Sequence, residues 1–434
     1  MSTLGTMKRV VFTTWGSFGD LHPFMALALE LQGRGYDSVI ATSPIYREKV
    51  EAQGLGFRPV RPDLPPPDAE TTADIIRRVS NARWGPSYLF RQLLIPHLRE
   101  TYTDTLAAVT GADLLVSHQV PLTAPLVAEK TGIKWISSVL FPIAFTSAYD
   151  PPTPPQLPAL RAVALTHPFV ARTLFGFGKW TTASWVEPIQ RLRKELGLPR
   201  SRNPIFEGQH SPTLVLALFS KVLAQLQPDF PANTLVTGFP FYDRSDGQPA
   251  SSELLKFLDE GEPPILFTLG SSLVWIAKDF YRVSIEAAQR LGKRALLLTG
   301  DKRNLPQTKL PEGIAAFDYA PHRLVMPRAS VIVHQGGIGT TGQALRAGRP
   351  MLIVPFGQDQ PDNARRCARL DVGRTLSYSR YTTPRVVQEL SQLLNTPSYR
   401  AHAAKVGQQV EDENGTKRAC DAIEHVLRHN PVTP

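Results

Sequence analysis

Short runs of β-branched and aliphatic residues alternate along this chain with amphipathic helical stretches, and the alternation starts twice. KRVVFTTWG reads as a strand and PFMALALELQGRG as a helix, with Phe24, Leu27, Ala28 and Leu31 on one face at 3.6-residue spacing. DSVIATS, DLLVSHQ and KWISSVL continue the first series. After residue 262 the pattern restarts with PPILFTLGSS, a helix over DFYRVSIEAAQRLG, then RALLLTG, IAAFDYAP, ASVIVHQGG and PMLIVPF. Strands separated by helices predict parallel sheets covered on both faces, so the fold class is α/β. Each series opens on a strand ending in Gly-Ser, FTTWGS at 12–17 and FTLGS at 267–271, as a strand-to-helix turn would.

The 434 residues are too many for one core and suit two domains of roughly 200 residues. The expected division is two Rossmann-like halves, 1–240 and 241–405, with 406–434 a helix returning to the first. The boundary is expected within GFPFYDRSDGQPASSE, residues 238–253, rich in turn formers. Residues 141–185 differ from both halves in a proline cluster and many aromatics. With Trp84, Tyr88 and Phe90, the side chains of Phe141, Phe145, Tyr149, Phe169, Phe175, Phe177, Trp180 and Trp185 are read there as a lipophilic pocket, the alternative being that they pack the first core.

Hydrophobic residues make up 42% and charged residues 20%, as in an ordinary soluble protein. No apolar run approaches the roughly 18 to 20 residues that span a bilayer. The first residues show no signal-peptide pattern, and two cysteines give no disulfide framework, so a cytoplasmic location is expected. The formal charge of +10 comes from scattered Lys and Arg. It reads as a solvated basic surface, with attraction to phosphorylated ligands or peripheral contact with an anionic membrane as the functional alternative. No motif supports nucleic-acid binding. No D-x-D, HExxH or paired Cys/His spacing implies a metal, and no cofactor is expected.

The strongest chemical signal is HQGGIGTTGQALRAGRPMLIVPFGQDQ, residues 334–360. A glycine turn between a strand and a helix start suits phosphate, because backbone approaches closely and first-turn N–H groups face the ligand. Gly336, Gly337 and Gly339 give clearance, and Thr340 and Thr341 add hydroxyls at the helix start. His334 ends the strand, where open α/β sheets bind ligands. Asp359 beside Gln360 could hold vicinal hydroxyls of a sugar.

YAPHRLVMPRASVIVHQGGIGTTGQALRAGRPMLIVPFGQDQPDN resembles the donor-binding signature of family 1 nucleotide-sugar glycosyltransferases of the GT-B fold. GSFGDLHPFMALALELQGRGY resembles the acceptor-side signature of the same family. GFPFYD, HSP before a strand, and FTLGSS followed by DFY look most like the bacterial branch containing the rhamnolipid rhamnosyltransferase. The resemblance implies Tyr319 against the donor base, His322 at the ribose, His334 with Gly337, Gly339, Thr340 and Ser271 at the diphosphate, and Asp359 and Gln360 on the sugar. Gly342 stands where plant members carry a ribose-binding glutamate, which leaves UDP-sugar and dTDP-sugar both open as co-substrate.

Plant members use a histidine base where this chain has Asp20, as in the sterol- and antibiotic-glycosylating members, and the partner aspartate falls at or beside His118. Asp20 is therefore the expected base, with His118 its partner and His22 the next candidate; capping of the helix is the other use of Asp20. The implied activity is inverting, metal-independent transfer of a hexose, glucose from UDP-glucose first, to a hydroxyl on a lipophilic small molecule. Alternatives are dTDP-rhamnose transfer to a hydroxy fatty acid lipid, a silent sugar-nucleotide-binding activator, and an epimerase on the same fold.

Overall fold

The computed structural model describes residues 7–65, 69–154, 156–244, 250–306 and 309–429. Part of the expected linker, 245–249, lies outside these residues, as do Pro155 of the proline cluster and the two ends, 1–6 and 430–434. Among the described residues, thirteen strands form two sheets. The first contains β1 (Arg9–Thr13), β2 (Asp37–Thr42), β3 (Gly56–Pro59), β4 (Leu114–His118), β5 (Lys134–Val139), β6 (Leu214–Ala217) and β7 (Thr234–Val236). The second contains β8 (Ile265–Thr268), β9 (Ala295–Leu298), β10 (Ile314–Phe317), β11 (Val331–His334), β12 (Met351–Ile353) and β13 (Gly373–Thr375). Strand orders are β3-β2-β1-β4-β5-β6-β7 and β10-β9-β8-β11-β12-β13, and every pairing is parallel.

Strands covered on both faces need apolar residues at consecutive positions, not alternate ones. β1 shows this: Val10 and Phe12 enter one hydrophobic cluster while Val11, pointing the opposite way, enters another. Both sheets reverse direction of growth beside their first strand, between β1 and β4 and between β8 and β11. Connections leave to opposite sides there, so a crevice opens at the carboxyl ends of those strands. Trp15 to Asp20 follow β1 and His118 ends β4; Gly270 and Ser271 follow β8 and His334 ends β11.

The two Gly-Ser turns have a steric reason. Gly16 has φ 138° and Gly270 φ 65°, backbone that side chains disfavour. A Cβ on Gly16 would collide with Asp20 Oδ2, and one on Gly270 with Gln335 Nε2. Gly16→Ala is accordingly expected to lower unfolding free energy by roughly 1–3 kcal/mol and to displace the Asp20 carboxylate. Urea unfolding and transfer rate, measured together, check both effects.

The last helix, Gly415–Arg428, lies against the helix Phe18–Gly33 of the first half. Cys420 Sγ donates to Leu27 O at 3.5 Å, Lys8 Nζ to Leu427 O at 2.8 Å, and Arg34 Nη1 meets Asp421 at 2.7 Å. The preceding helix, Pro397–Asp412, packs on Ile338–Arg346 in the second half. The chain thus crosses back at 413–415, beside its outward crossing: a Cβ on Gly415 would strike the Gly238 backbone, and Glu413 Oε1 accepts from Lys221 N at 3.1 Å.

A buried ion network also joins the halves. Arg366, on the helix Gln360–Arg369, binds Asp362 Oδ2 at 2.7 Å and also Asp150. Arg369 reaches Asp150 Oδ1 at 3.0 Å, and Thr153 N donates to Asp362 Oδ1 at 2.8 Å. Burial pushes the Asp150 carboxyl up, but Arg366 and Arg369 outweigh it and hold the group below the ordinary carboxylate range.

Candidate functional site

The helix Phe18–Gly33 starts five residues before the Pro23 expected to open it. Ser17 is its N-cap, accepting from Gly19 N at 3.2 Å, and Asp20 completes a capping box by accepting from Ser17 N at 2.7 Å. Capping and catalysis therefore do not compete for the same atom. Oδ2 takes Ser17 N–H and the Ser17 hydroxyl at 3.1 Å, while Oδ1 makes no hydrogen bond among the described residues. Asp20 is half-buried where the halves meet, and burial pushes its carboxyl up to about 6 against the Ser17 bonds.

His118 does not reach that carboxylate. It is fully buried at the end of β4, and burial lowers its pKa to about 3. Its Nδ1 lies 3.3 Å from Thr14 Oγ1, and Thr14 Oγ1 donates to the Asp20 carbonyl at 3.2 Å. With the hydroxyl proton committed, Nδ1 must carry hydrogen and donate to Thr14, leaving Nε2 a buried acceptor without a partner. The contact supports Asp20 through backbone. His22 lies one turn on, between Phe18 at 5.2 Å and Tyr242 at 4.8 Å, ring to ring.

On the other side, Gly337 caps the helix Ile338–Arg346. Gly339 is exposed, and a Cβ there would lie 3.9 Å from Gly19 Cα, so the two helix N-termini face one another. Their dipoles converge there, an arrangement suited to anions, although Ser17 already takes Gly19 N–H and Asp359 takes Ile338 N–H. Asp359 Oδ2 accepts from Ile338 N at 3.2 Å and from Asn363 Nδ2 at 2.7 Å. Burial, with a smaller effect from the Asp20 charge, raises its pKa to about 7. Gln360 Oε1 accepts from Phe356 N at 2.8 Å and from Gly357 N at 3.3 Å, so its oxygen is engaged within the protein. Ser271 is exposed on its turn, and Thr340 Oγ1 accepts from Gln335 Nε2 at 3.3 Å, keeping its own proton to donate.

His334 departs from its expected use. Its ring is fully buried, Nδ1 accepts from Gly336 N at 3.1 Å, and Nε2 lies 3.3 Å from Met351 Sδ. Both nitrogens are engaged inside the protein, so the ring shapes the Gly336 turn and presents no N–H to a diphosphate. Burial, then His322, lowers its pKa to about 3; burial lowers that of half-buried His322 to about 4. Tyr319 stands 70% exposed at the rim. Gly342 packs under Phe239, with a Cβ only 3.0 Å from the ring, so a glutamate there would displace that ring.

The expected aromatic pocket is not gathered. Phe145 stacks on Phe230 at 4.0 Å and on His210 at 5.4 Å, within the first core. Phe141 is half-buried against that core. Trp84 is exposed under Arg83, and Tyr88 is half-buried beside Arg78. These last two follow a segment that does touch the site: Gln358, at φ 56°, donates Nε2 to Val79 O at 2.5 Å. A hollow of about 430 Å³ lined by residues including Leu106, Asp113 and Lys134 opens at the amino ends of β4 and β5, remote from all of these groups.

Residues 10–149 match the glycosyltransferase family 28 N-terminal domain, and 286–419 match the erythromycin biosynthesis protein CIII-like C-terminal domain. The chain is 30% identical over 431 residues to O-mycaminosyltylonolide 6-deoxyallosyltransferase of Streptomyces fradiae, covering 96% of this chain and 97% of that protein. This chain is a family 1 glycosyltransferase. As such it is a nucleotide-sugar-dependent enzyme. It is also 28% identical to a sterol 3-beta-glucosyltransferase of Cryptococcus neoformans over 97% of its own length, spanning 27% of that much longer protein. The glycotransferase of kitacinnamycin superposes with a TM-score of 0.73 at 20% identity, over 97% of this chain and 99% of that one. The glycosyltransferase has the GT-B architecture of two facing parallel-sheet domains.

Proposed function

We propose that this glycosyltransferase transfers a hexose, with inversion and without a metal, from a nucleoside diphosphate sugar to a hydroxyl of a lipophilic small molecule. One observation carries the reading: two helix N-termini face one another at the switch points of both sheets, Gly339 against Gly19, with Asp20 on one and Asp359 bound to the start of the other. The donor diphosphate suits the Ser271 turn and the Gly337–Thr340 helix start, whose N–H groups receive the charge of the leaving group. Tyr319 and His322 line the base and ribose side. Asp359 and the Gln360 amide face the sugar. Asp20 Oδ1 takes the acceptor proton as the oxygen attacks the anomeric carbon opposite the diphosphate. The bond to the diphosphate breaks as the glycosidic bond forms. The sterol and macrolide names of the relatives support a lipophilic acceptor. UDP-glucose is the first donor to test; the 6-deoxyallosyl name of the Streptomyces relative favours a second reading, a dTDP-deoxyhexose.

A donor panel of UDP-glucose, UDP-galactose, UDP-GlcNAc and dTDP-rhamnose, assayed against phenols and hydroxy lipids, separates these readings. In the same panel Asp359→Ala is expected to weaken the intact donor by roughly 10- to 100-fold, the worth of hydrogen bonds to a charged group. Binding of the matching nucleoside diphosphate should change little. Equal losses for both ligands by calorimetry would remove Asp359 from the sugar, and hydrolysis or transfer with no donor would overturn the enzyme reading of this site.

A further inference from the structure

Residues 151–186 contain Arg161, Arg172 and Lys179 and not one Asp or Glu. Within this stretch the helix Pro168–Thr181 turns an unusual face to solvent. Its inner side is anchored by Ala171, while Phe169, Arg172, Thr173, Gly176, Phe177 and Trp180 recur outward at three- and four-residue spacing. Phe169 is 68% exposed, Phe177 64% and Trp180 73%, and the Phe177 and Trp180 rings lie 5.7 Å apart. Leu157, Val163 and Leu165, just before it, are exposed as well. Single exposed apolar residues are common, but a continuous aromatic stripe marks a surface that meets something.

We infer that this face docks on the surface of an anionic phospholipid bilayer. The stripe lies along one side of an exposed helix. Phe and Trp rings favour the boundary between headgroup and acyl chain, and nearby cations favour lipid phosphates. Arg172 sits within the stripe, its guanidinium 5.5 Å from the Tyr149 ring; Lys179 at its edge pairs with Glu207. The chain's formal charge of +10 acts in the same direction. A second copy fits less well, because a two-fold contact sets like faces together, and Arg172 on each has no acid within the stripe to meet. Shortly before the stripe, Thr153 binds Asp362 beside Asp359 and Gln360, so a bilayer here would lie near the cleft that takes a lipophilic acceptor. The docking itself does not depend on the transfer reaction.

Sedimentation of the full chain with vesicles of mixed phosphatidylglycerol and phosphatidylcholine, against pure phosphatidylcholine, tests this. Binding to the mixed vesicles is expected to be at least about tenfold tighter. Phe169→Ser/Phe177→Ser/Trp180→Ser should lose at least about tenfold of it while melting like the parent, since these side chains contact little in the fold. Arg172→Glu, with the rings intact, should weaken binding to the charged vesicles only. No binding by the parent, or equal binding by the triple variant, would overturn the inference. So would a lipid-free dimer abolished by the triple variant, which would give the face to a second copy.

Discussion

Asp20→Asn is expected to slow transfer to an aliphatic alcohol by roughly 10²- to 10⁴-fold, the range for loss of a general base. The asparagine can still accept Ser17 N–H, so the helix start survives, and donor binding, which uses the opposite domain, should hold. An acidic phenol should suffer less, being partly ionised without help. The parent rate should rise with pH through about 6, where Asp20 loses its proton, and then level off; the variant should lack that limb. Stability should move the other way. A carboxyl whose folded pKa lies above its unfolded value favours the folded state when protonated, and that contribution is lost as pH rises through about 6. The substituted amide never ionises, so at neutral pH the variant should melt above the parent. A mild Asp20→Asn together with a crippled His118→Ala would make His118 the base, despite its burial. If both variants stayed active, His22 would be next.

Arg366→Ala is expected to cost about 3–5 kcal/mol of unfolding free energy, because Asp362 would stay buried without its cation and Asp150 would keep only Arg369 and Arg161. These partners lie on opposite halves, so the loss should also loosen the halves and raise protease sensitivity near Asp150. A loss under about 1 kcal/mol by urea unfolding, the size of a surface pair, would mean that water already reaches the network.

Strands buried on both faces announce themselves as apolar runs, and β1, β2, β4, β5, β8, β9, β11 and β12 were legible for that reason; β10, an edge strand fully buried at Ile314 alone, was legible from IAAF. β3, β7 and β13 are edge strands of three or four residues, ordered by pairing with β2, β6 and β12 rather than by pattern. The Phe18 start was readable in Ser17-x-x-Asp20, but Pro23 drew the boundary too late. Asn363, which holds Asp359, lies inside the quoted GQDQPDN; a polar residue four positions along a helix was the available signal. Thr14 meets His118, which lies 104 residues away and is not encoded by spacing, whereas Gln335 reaches Thr340 within its own turn. Aromatic content likewise could not separate Phe145, sunk in the core, from Trp180 in solvent, since burial is settled by what packs above. His334 was placed correctly at its strand end, yet which way a ring turns depends on neighbours such as Met351.

Because the closing helix returns to the first half through 413–415 beside Gly238, the second half is topologically an insert in the first. Its two connections are side by side, like the two leaves of one door hinge. Exchanging donor specificity with a relative therefore calls for two junctions, one near 238 and one near 413. A chimera cut once in the middle would carry a foreign final helix onto Leu27 and Arg34, and would fail in the half that was never meant to change.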